Sequence, residues 1–432
     1  METMRKQVMI VGIVLIGVLA LGLSFPAATL PRPADKPEYV PGQVILKFKP
    51  SVMLFQKAMA LSLTRSRAIS RIVKLDVYTV QIPDDMTVDE MVDIFGRNPD
   101  IEFAQPNYIY RAAVTPNDLY FQYQYALFNK GQQTGWVPGS PQGLPNADIK
   151  ATAAWEETTG QAGIIIGILD TGVDLTHPDL KNKIVGPGYD FVNNDADATD
   201  DNGHGTMIAG IAGAETNNNE GIAGVAWNCK ILPVKVLDRF GNGNTSNIAD
   251  GIVWAADNGA QIINISYAQP ALDSTIERAL KYAFETKGVF IAAAAGNDNT
   301  SVYYPAAYEN YVCAVSATDY NDQRTVYSNF GWEIDVAAPG DSIISTYPVA
   351  LTPTGFPPYK NGDGTSFASA YVAGFAALIK SLKPSLKPGE IMDIIRYSAD
   401  DVNASVYPGR DQFLGFGRIN MEKGLVPLKI TK

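Results

Sequence analysis

Beyond about residue 160 the chain repeats one pattern: an apolar run ending in polar or small residues, followed by an amphipathic helical stretch. The runs are "GIIIGILD", "ILPVKVLD", "AQIINISY", "GVFIAAAAGND" and "YVCAVSATD", and the stretches between them include "TSNIADGIVWAADNG" and "DSTIERALKYAFETKG". Strands that are apolar along their whole length are covered on both faces, and helices between consecutive strands supply the cover. The pattern therefore predicts an α/β fold built on a doubly wound, mostly parallel sheet. It also says where to look for chemistry, because ligands of such sheets bind outside the carboxyl ends of the strands. Asp170, Ser266 and Asn297 all stand at such ends.

The region before this sheet reads differently. Arg5 and Lys6 precede an uncharged apolar run at residues 8–25, the layout of an export signal and also 18 residues long, enough to span a bilayer. Residues 1–25 are thus read as a signal peptide or a membrane anchor, and either places the rest of the chain outside the cytoplasm. A Pro-rich linker follows at 26–37. Residues 38–112 alternate strand-like "GQVILKFK", "VYTVQIP" and "IEFAQPNYIY" with two helical stretches, the second opening at Thr87 with Glu90 in capping-box spacing. This is a small α+β domain, and residues 113–432 form the larger one.

Charge separates the two. Residues 1–112 hold 13 Lys+Arg and 11 Asp+Glu, which leaves 21 and 34 to residues 113–432, a net −13. So acidic a surface repels nucleic acid and suits cations. The two cysteines, Cys229 and Cys313, lack the spacing of a zinc or redox motif and are read either as buried thiols or as one disulfide. "FGNGNTS" follows a strand but lacks the third glycine and the acidic partner of a dinucleotide site.

Serine in "GTSFASAYVAG", Ser366, opens a helical run of small residues. A serine hydroxyl attacks only when a base within hydrogen-bond reach takes its proton, and histidine is the usual base. Of the two histidines, His177 in "THPDL" sits in a turn before proline and is read as structural, whereas His204 in "DDNGHGTMIAG" lies between glycines that allow close approach. A histidine base needs a carboxylate to orient it, and Asp170 after "GIIIGIL" is the best placed.

The stretches "GILDTGVDLTHPDL", "NGHGTMIAG" and "GTSFASAYVAG" together resemble the three catalytic motifs of the subtilisin-like serine proteases, in that family's chain order. The resemblance extends through "NNNEGIAGVA", "VKVLDRFGNGNTS", "INISYA", "AAAAGN", "YPAAY" and "DVAAPG" and is closest to the thermitase-like branch. It implies Ser366 as nucleophile, His204 as base, Asp170 as its orienting carboxylate and Asn297 as oxyanion donor. It implies that an extended peptide substrate adds as a strand along Gly241, Asn242 and Gly243 on one side and Ser266, Tyr267 and Ala268 on the other, with Ala294, Ala295, Gly296 and Tyr303 at the main specificity pocket. Ala268 and Tyr267 depart from the family's usual small and aliphatic residues, and Tyr303 falls at the pocket floor, so a shallow pocket is expected. Met207 and Ala370-Tyr371 depart as well, at positions without catalytic roles in the family.

The resemblance also implies structural calcium at two or more sites. One would gather Asp118, Asp179, Asn218 and oxygens near Glu215, Glu220 and Ile222. The other would be the loop carrying Asp190, Asn193, Asp195, Asp197 and Thr199. Residues 38–112 resemble the family's ferredoxin-like inhibitory propeptide, cut near residues 111–114. The whole reads as a secreted or extracytoplasmic, self-processing serine endopeptidase zymogen of broad specificity. Its partners are peptide substrates and its own propeptide, with no nucleic acid, membrane contact only through a retained N-terminal segment, and a monomeric state.

Overall fold

The computed structural model describes residues 39–109, 114–135 and 139–430. The expected signal or anchor and its linker lie outside the described residues, as does most of the expected processing region at 111–114. Two compact units divide at residues 110 and 111.

The N-terminal unit runs β1 (Tyr39–Phe48), α1 (Leu54–Leu63), β2 (Arg67–Ile72), β3 (Val77–Gln81), α2 (Val88–Gly96) and β4 (Ile101–Tyr108). Its antiparallel sheet has the order β2-β3-β1-β4, a ferredoxin-like arrangement of the kind expected. Val44, Leu46, Phe48 and Val80 of the sheet pack with Met91 and Phe95 of α2. The capping box forms as predicted: Thr87 Oγ1 accepts from Glu90 N at 3.3 Å, and Thr87 N donates to the Glu90 carboxylate at 2.9 Å.

The second unit contains α3 (Ala151–Ala154), β5 (Ile165–Asp170), β6 (Tyr189–Asp190), α4 (His204–Gly213), β7 (Lys230–Lys235), α5 (Thr245–Asp257), β8 (Ile262–Ile265), α6 (Ser274–Lys281), β9 (Phe290–Ala294) and β10 (Cys313–Thr318). These are followed by β11 (Val336–Pro339), β12 (Ile343–Thr346), β13 (Tyr359–Gly362), α7 (Thr365–Leu382), α8 (Pro388–Ser398) and α9 (Met421–Ile430). Seven strands form one parallel sheet in the order β11-β10-β9-β8-β5-β7-β6, and β12 pairs with β13 in a separate hairpin.

Alternate strand residues face opposite layers. Ile166, Ile168, Ile262, Phe290 and Val315 pack toward α4 and α7, while Leu169, Val234, Ile263, Ile265 and Ile291 pack toward α5 and α6. Burial on both faces is what the unbroken apolar runs required. The strand order reverses at β5, whose neighbours β8 and β7 lie on opposite sides, so the carboxyl ends of β5, β8 and β9 open onto one crevice. Cys229 and Cys313 are both buried and both free, which settles the sequence alternative against a disulfide.

Candidate active site

Asp170 is the last residue of β5 and is fully buried. Its Oδ1 accepts from Thr171 N at 2.8 Å and meets His204 Nδ1 at 2.8 Å. A carboxylate can only accept, so Nδ1 carries the proton and Nε2 is left as a proton acceptor. His204 begins α4, and a Cβ at Gly205 would lie 2.1 Å from the Gly172 carbonyl oxygen. Glycine at 205 is what lets the helix approach the aspartate loop this closely. Burial opposes a charged imidazole, but the charge and hydrogen bond of Asp170, with Asp200 further off, outweigh it and hold the His204 pKa above its ordinary value. The neutral, base-competent form is therefore lost at a higher pH than for a free histidine as the solution is acidified.

Ser366 occupies the first turn of α7. Its hydroxyl donates to the Ser266 carbonyl at 2.9 Å, and Ser266 Oγ donates to the Ser366 carbonyl at 3.1 Å. Engagement of His204 by Ser366 thus requires rotation of the serine side chain, a common feature of free catalytic sites. Asn297 is held more firmly. Its Oδ1 accepts from both Thr365 N and Thr365 Oγ1 at 2.9 Å, and the backbone donor fixes which end of the amide is oxygen. The Nδ2 donors point away from Thr365. A Cβ built on Gly364 (φ +147°) would lie 3.3 Å from Asn297 Nδ2 and 3.7 Å from Ser366 N. Two N–H donors therefore bracket a space that glycine keeps open at the positive end of α7, an arrangement suited to an oxyanion.

Of the residues expected to hold substrate, Gly241, Asn242, Gly243, Tyr267 and Ala268 line one groove of about 640 Å³. The groove continues over Leu237, Ile248, Ile276, Tyr304 and Tyr308, which the sequence did not single out. Separately, Tyr303 N donates to the Ala295 carbonyl at 3.0 Å, and the Tyr303 ring lies 3.1 Å from a Cβ built on Gly296. Residues 294–296 and Tyr303 therefore form one wall beside the Asn297 amide. The departures from the family pattern are absorbed by packing: Met207, Ala370 and Tyr371 are all buried in the core. His177 is a satisfied buried group. Its Nδ1 accepts from Asp179 N at 3.1 Å, so Nε2 carries the proton and donates to the Pro358 carbonyl at 2.9 Å.

The two expected calcium sites fare differently. Asp118 and Asp179 are both buried. Burial, and then the charge of Asp179, push the Asp118 carboxyl up to about 6 although Asn217 N donates to it, and burial also raises Asp179. Asp118 Oδ1 is buried without a partner. Asn218 Nδ2 and Ile222 N donate to Asp179 at 2.9 and 3.0 Å, and a Cβ at Gly221 would lie 1.9 Å from Asp179 Oδ2. Two buried carboxylates without a cationic side chain between them, one with an orphaned oxygen, fit a hard cation. Glu215 is joined to this cluster through its N–H, which donates to the Asp179 carbonyl, and Glu220 through its N–H on Asn218 Oδ1.

The second loop holds its carboxylates in local turns. Asp190 accepts from Val192 N, Asn193 N and Asn193 Nδ2, Asp195 from Asp197 N, and Asp197 from Thr199 N and Oγ1. One oxygen each of Asp195 and Asp197 faces the loop's own donors, and both residues are exposed. Among the described residues no three His, Cys, Asp or Glu side chains converge on a metal position, so any ion at the first site takes amide and carbonyl oxygens as well.

A doubly wound sheet that sets a serine, a histidine bound to a buried aspartate and an asparagine amide at its carboxyl edge defines a serine hydrolase. The comparisons narrow this class. The model of the subtilase family matches residues 161–417, and that of the fervidolysin N-terminal prodomain matches residues 26–107. A thermophilic serine proteinase of Bacillus sp. (strain AK1) is 41% identical over 389 residues, covering 89% of this chain and 88% of that protein. Thermitase of Thermoactinomyces vulgaris is 40% identical over 311 residues, 72% of this chain and 99% of thermitase. Among solved structures, a protease from Pseudoalteromonas arctica aligns with a TM-score of 0.63 at 33% identity, over 73% of this chain and all of that one. The chain belongs to the subtilase family: it is a subtilisin-type serine protease with an N-terminal prodomain.

Proposed function

We propose that the chain is a secreted, self-processing endopeptidase zymogen whose acyl transfer is carried by Ser366, His204, Asp170 and Asn297. The observation that carries this reading is the pairing of two fixed geometries: the 2.8 Å contact of His204 Nδ1 with Asp170, and the Asn297 amide locked by Thr365. His204 Nε2 takes the proton of the Ser366 hydroxyl as Oγ attacks the scissile carbonyl. Asp170 stabilises the imidazolium without taking a proton itself. The carbonyl oxygen becomes an anion and receives hydrogen bonds from Asn297 Nδ2 and Ser366 N, and His204 then returns the proton to the leaving amine. Water repeats the sequence on the acyl-enzyme.

Asn297→Ala removes one of the two donors and leaves the base pair untouched. The expected result is a fall in kcat of about 10²- to 10³-fold with little change in KM, the loss recorded for the equivalent donor in a relative. Steady-state kinetics on a peptide anilide checks it, and full activity would remove Asn297 from the oxyanion role.

Substrate is read as an extended chain lying between residues 241–243 and 266–268, with a side chain directed to the wall formed by residues 294–296 and Tyr303. The Ala268 methyl narrows that pocket, so cleavage after Phe or Tyr is disfavoured. The N-terminal unit is read as an inhibitor released by cleavage near residues 111–114, which accords with a prodomain family match. Export accords with the apolar run at 8–25 and with relatives named as a cell wall-associated protease of Bacillus subtilis and an extracellular protease of Natrialba magadii.

Calcium is read at Asp118, Asp179 and Asn218 with the loop around Gly221, where it would neutralise two buried carboxylates and supply structural cross-linking rather than chemistry. An ion that binds only the folded protein stabilises it by about 2.7 kcal/mol at a hundredfold excess over Kd. Chelation is therefore expected to lower Tm by several degrees in wild type and by much less in Asp118→Asn, as read by calorimetry. An unchanged Tm in wild type would count against the site.

A further inference from the structure

Asp200, four residues before His204, is a buried carboxylate that the reaction above leaves without a role. It is 3% exposed and accepts five hydrogen bonds: from Thr171 Oγ1 (2.8 Å), Asn202 N (3.0 Å), Gly203 N (2.8 Å), Thr206 N (2.9 Å) and Thr206 Oγ1 (2.6 Å). These donors belong to two separate pieces of the site. Thr171 follows Asp170 at the end of β5, and its N–H is the donor that fixes Asp170 Oδ1. Thr206 lies in the first turn of α4, two residues beyond His204.

Both hydroxyls are used twice, which removes their rotational freedom. Thr171 Oγ1 gives its proton to Asp200 and accepts from Gly205 N at 3.0 Å, while Thr206 Oγ1 gives its proton to Asp200 and accepts from Asp174 N at 2.9 Å. Lys235, buried at the end of β7, closes the arrangement from behind by donating to the Thr171 carbonyl at 2.7 Å, the Leu237 carbonyl at 3.0 Å and Asp201 at 2.6 Å. The aspartate loop and the histidine helix thus share one carboxylate.

We infer that Asp200 is a positioning residue of the active site, clamping Thr171 and Thr206 together so that Asp170 and His204 are held in register before substrate arrives. Acting only as a cap of α4, Asp200 would need the N–H groups of Gly203 and Thr206 and nothing from the aspartate loop. Its bond from Thr171 orients the hydroxyl that accepts from Gly205 N, and its bond from Thr206 orients the one that accepts from Asp174 N, so both of these direct ties between the two catalytic elements depend on it. The charged groups about His204 are Asp170 on β5, Asp174 on the loop after it, Asp200 and Asp201 on the loop before α4, and Lys235 on β7. Removing the Asp200 charge alone moves the imidazole titration downward, so the decisive variants are neutral ones.

The inference rests on the reading of Asp170 and His204 as the base pair. Asp200→Asn cannot accept all five bonds, because its amide turns two donors against donors. In processed enzyme, kcat is expected to fall about 100-fold with KM nearly unchanged, the scale of a small misplacement of catalytic groups. Thr171→Val and Thr206→Val are expected to lower kcat in the same way at unchanged charge, and Thr171→Ser and Thr206→Ser to restore most of it. Independently of activity, the proton NMR signal of the His204 Nδ1–H···Asp170 bond is followed in Ser366→Ala, with and without Thr206→Val. It is expected to broaden into solvent exchange when the clamp is cut. Folded valine variants that keep wild-type kcat, or a Nδ1–H signal unmoved by Thr206→Val, overturn the inference. Should Asp200→Asn fail to fold, the threonine pairs decide alone. Activity in His204→Ala equal to wild type would instead sink the base-pair reading itself.

Discussion

Ser366→Ala is expected to abolish peptide hydrolysis and to leave the chain at its full 46.6 kDa less any segment removed on export. The expected fall in kcat is about 10⁶-fold, the value found when the corresponding serine is removed from subtilisin, a relative of this chain. The effect is this large because the hydroxyl is the only atom that forms the covalent bond. In the proposed mechanism Asp170, His204 and Asn297 move the proton or stabilise the charge that develops as Oγ attacks, so none of them substitutes for it. The residual rate comes from the oxyanion donors and substrate binding alone. Self-processing adds a second readout: if the N-terminal unit is cut by the chain's own active site, the variant retains it, and the wild type loses it during the same incubation with casein. A shortened Ser366→Ala chain that no longer cleaves casein would mean that another protease does the processing. A variant that still cleaves casein would remove Ser366 from catalysis.

The candidate site's residues were legible because they sit where sequence pattern is loudest. Asp170 ends an apolar strand, His204 stands between glycines, and Ser366 precedes a run of small residues, each a departure from background that close packing explains. β2 was invisible for the opposite reason. All six residues of Arg67–Ile72 are exposed, so no face is buried to impose a period of two; the strand is held by its pairing with β3, with surface cross-strand contacts such as Ser70 Oγ to Thr79 Oγ1. The acidic loop before His204 is harder to read. Its carboxylates at 190, 195 and 197 suggest a cation, and in the structure each also satisfies neighbouring N–H groups in tight turns. The carboxylate that matters to the site is Asp200, next in line, and nothing in "DATDDNGHG" distinguishes a buried Asp from its exposed neighbours. Burial of a charge is set by what packs over it, and here that is β5 and α4, which come from distant parts of the chain. Tyr359 is a similar case: it reaches Asp179 Oδ2 with its hydroxyl at 2.9 Å across 180 residues.

Arg418→Met is expected to destabilise the larger unit by about 3–5 kcal/mol, the cost of removing one partner from a buried ionic group. Arg418 is fully buried and bonds Asp322 at 2.5 Å, Asp400 at 2.9 Å and the Asn146 carbonyl at 3.1 Å. It also carries the ladder: its N–H donates to the Asp400 carbonyl, and Ile419 N donates to Ala337 beside it at the end of the sheet. Met fills much of the same volume, so the loss isolates charge and hydrogen bonding from cavity formation. Two carboxylates would be left facing each other in the interior, with Asp148 close enough to feel the change. Burial raises the Asp400 carboxyl, but Lys423 and Arg418 outweigh it and hold the group below its ordinary value. A depressed carboxyl contributes stability that is present above its unfolded pKa and lost as pH falls through the folded one. Arg418→Met shrinks that contribution, so its Tm deficit is largest near neutrality and narrows on acidification toward the Asp400 titration. Calorimetry of the Ser366→Ala background from neutral to acid pH measures both effects without autolysis. A deficit under about 1 kcal/mol would mean that water or Lys423 replaces the guanidinium, while a deficit that does not change with pH would detach Asp400 from it.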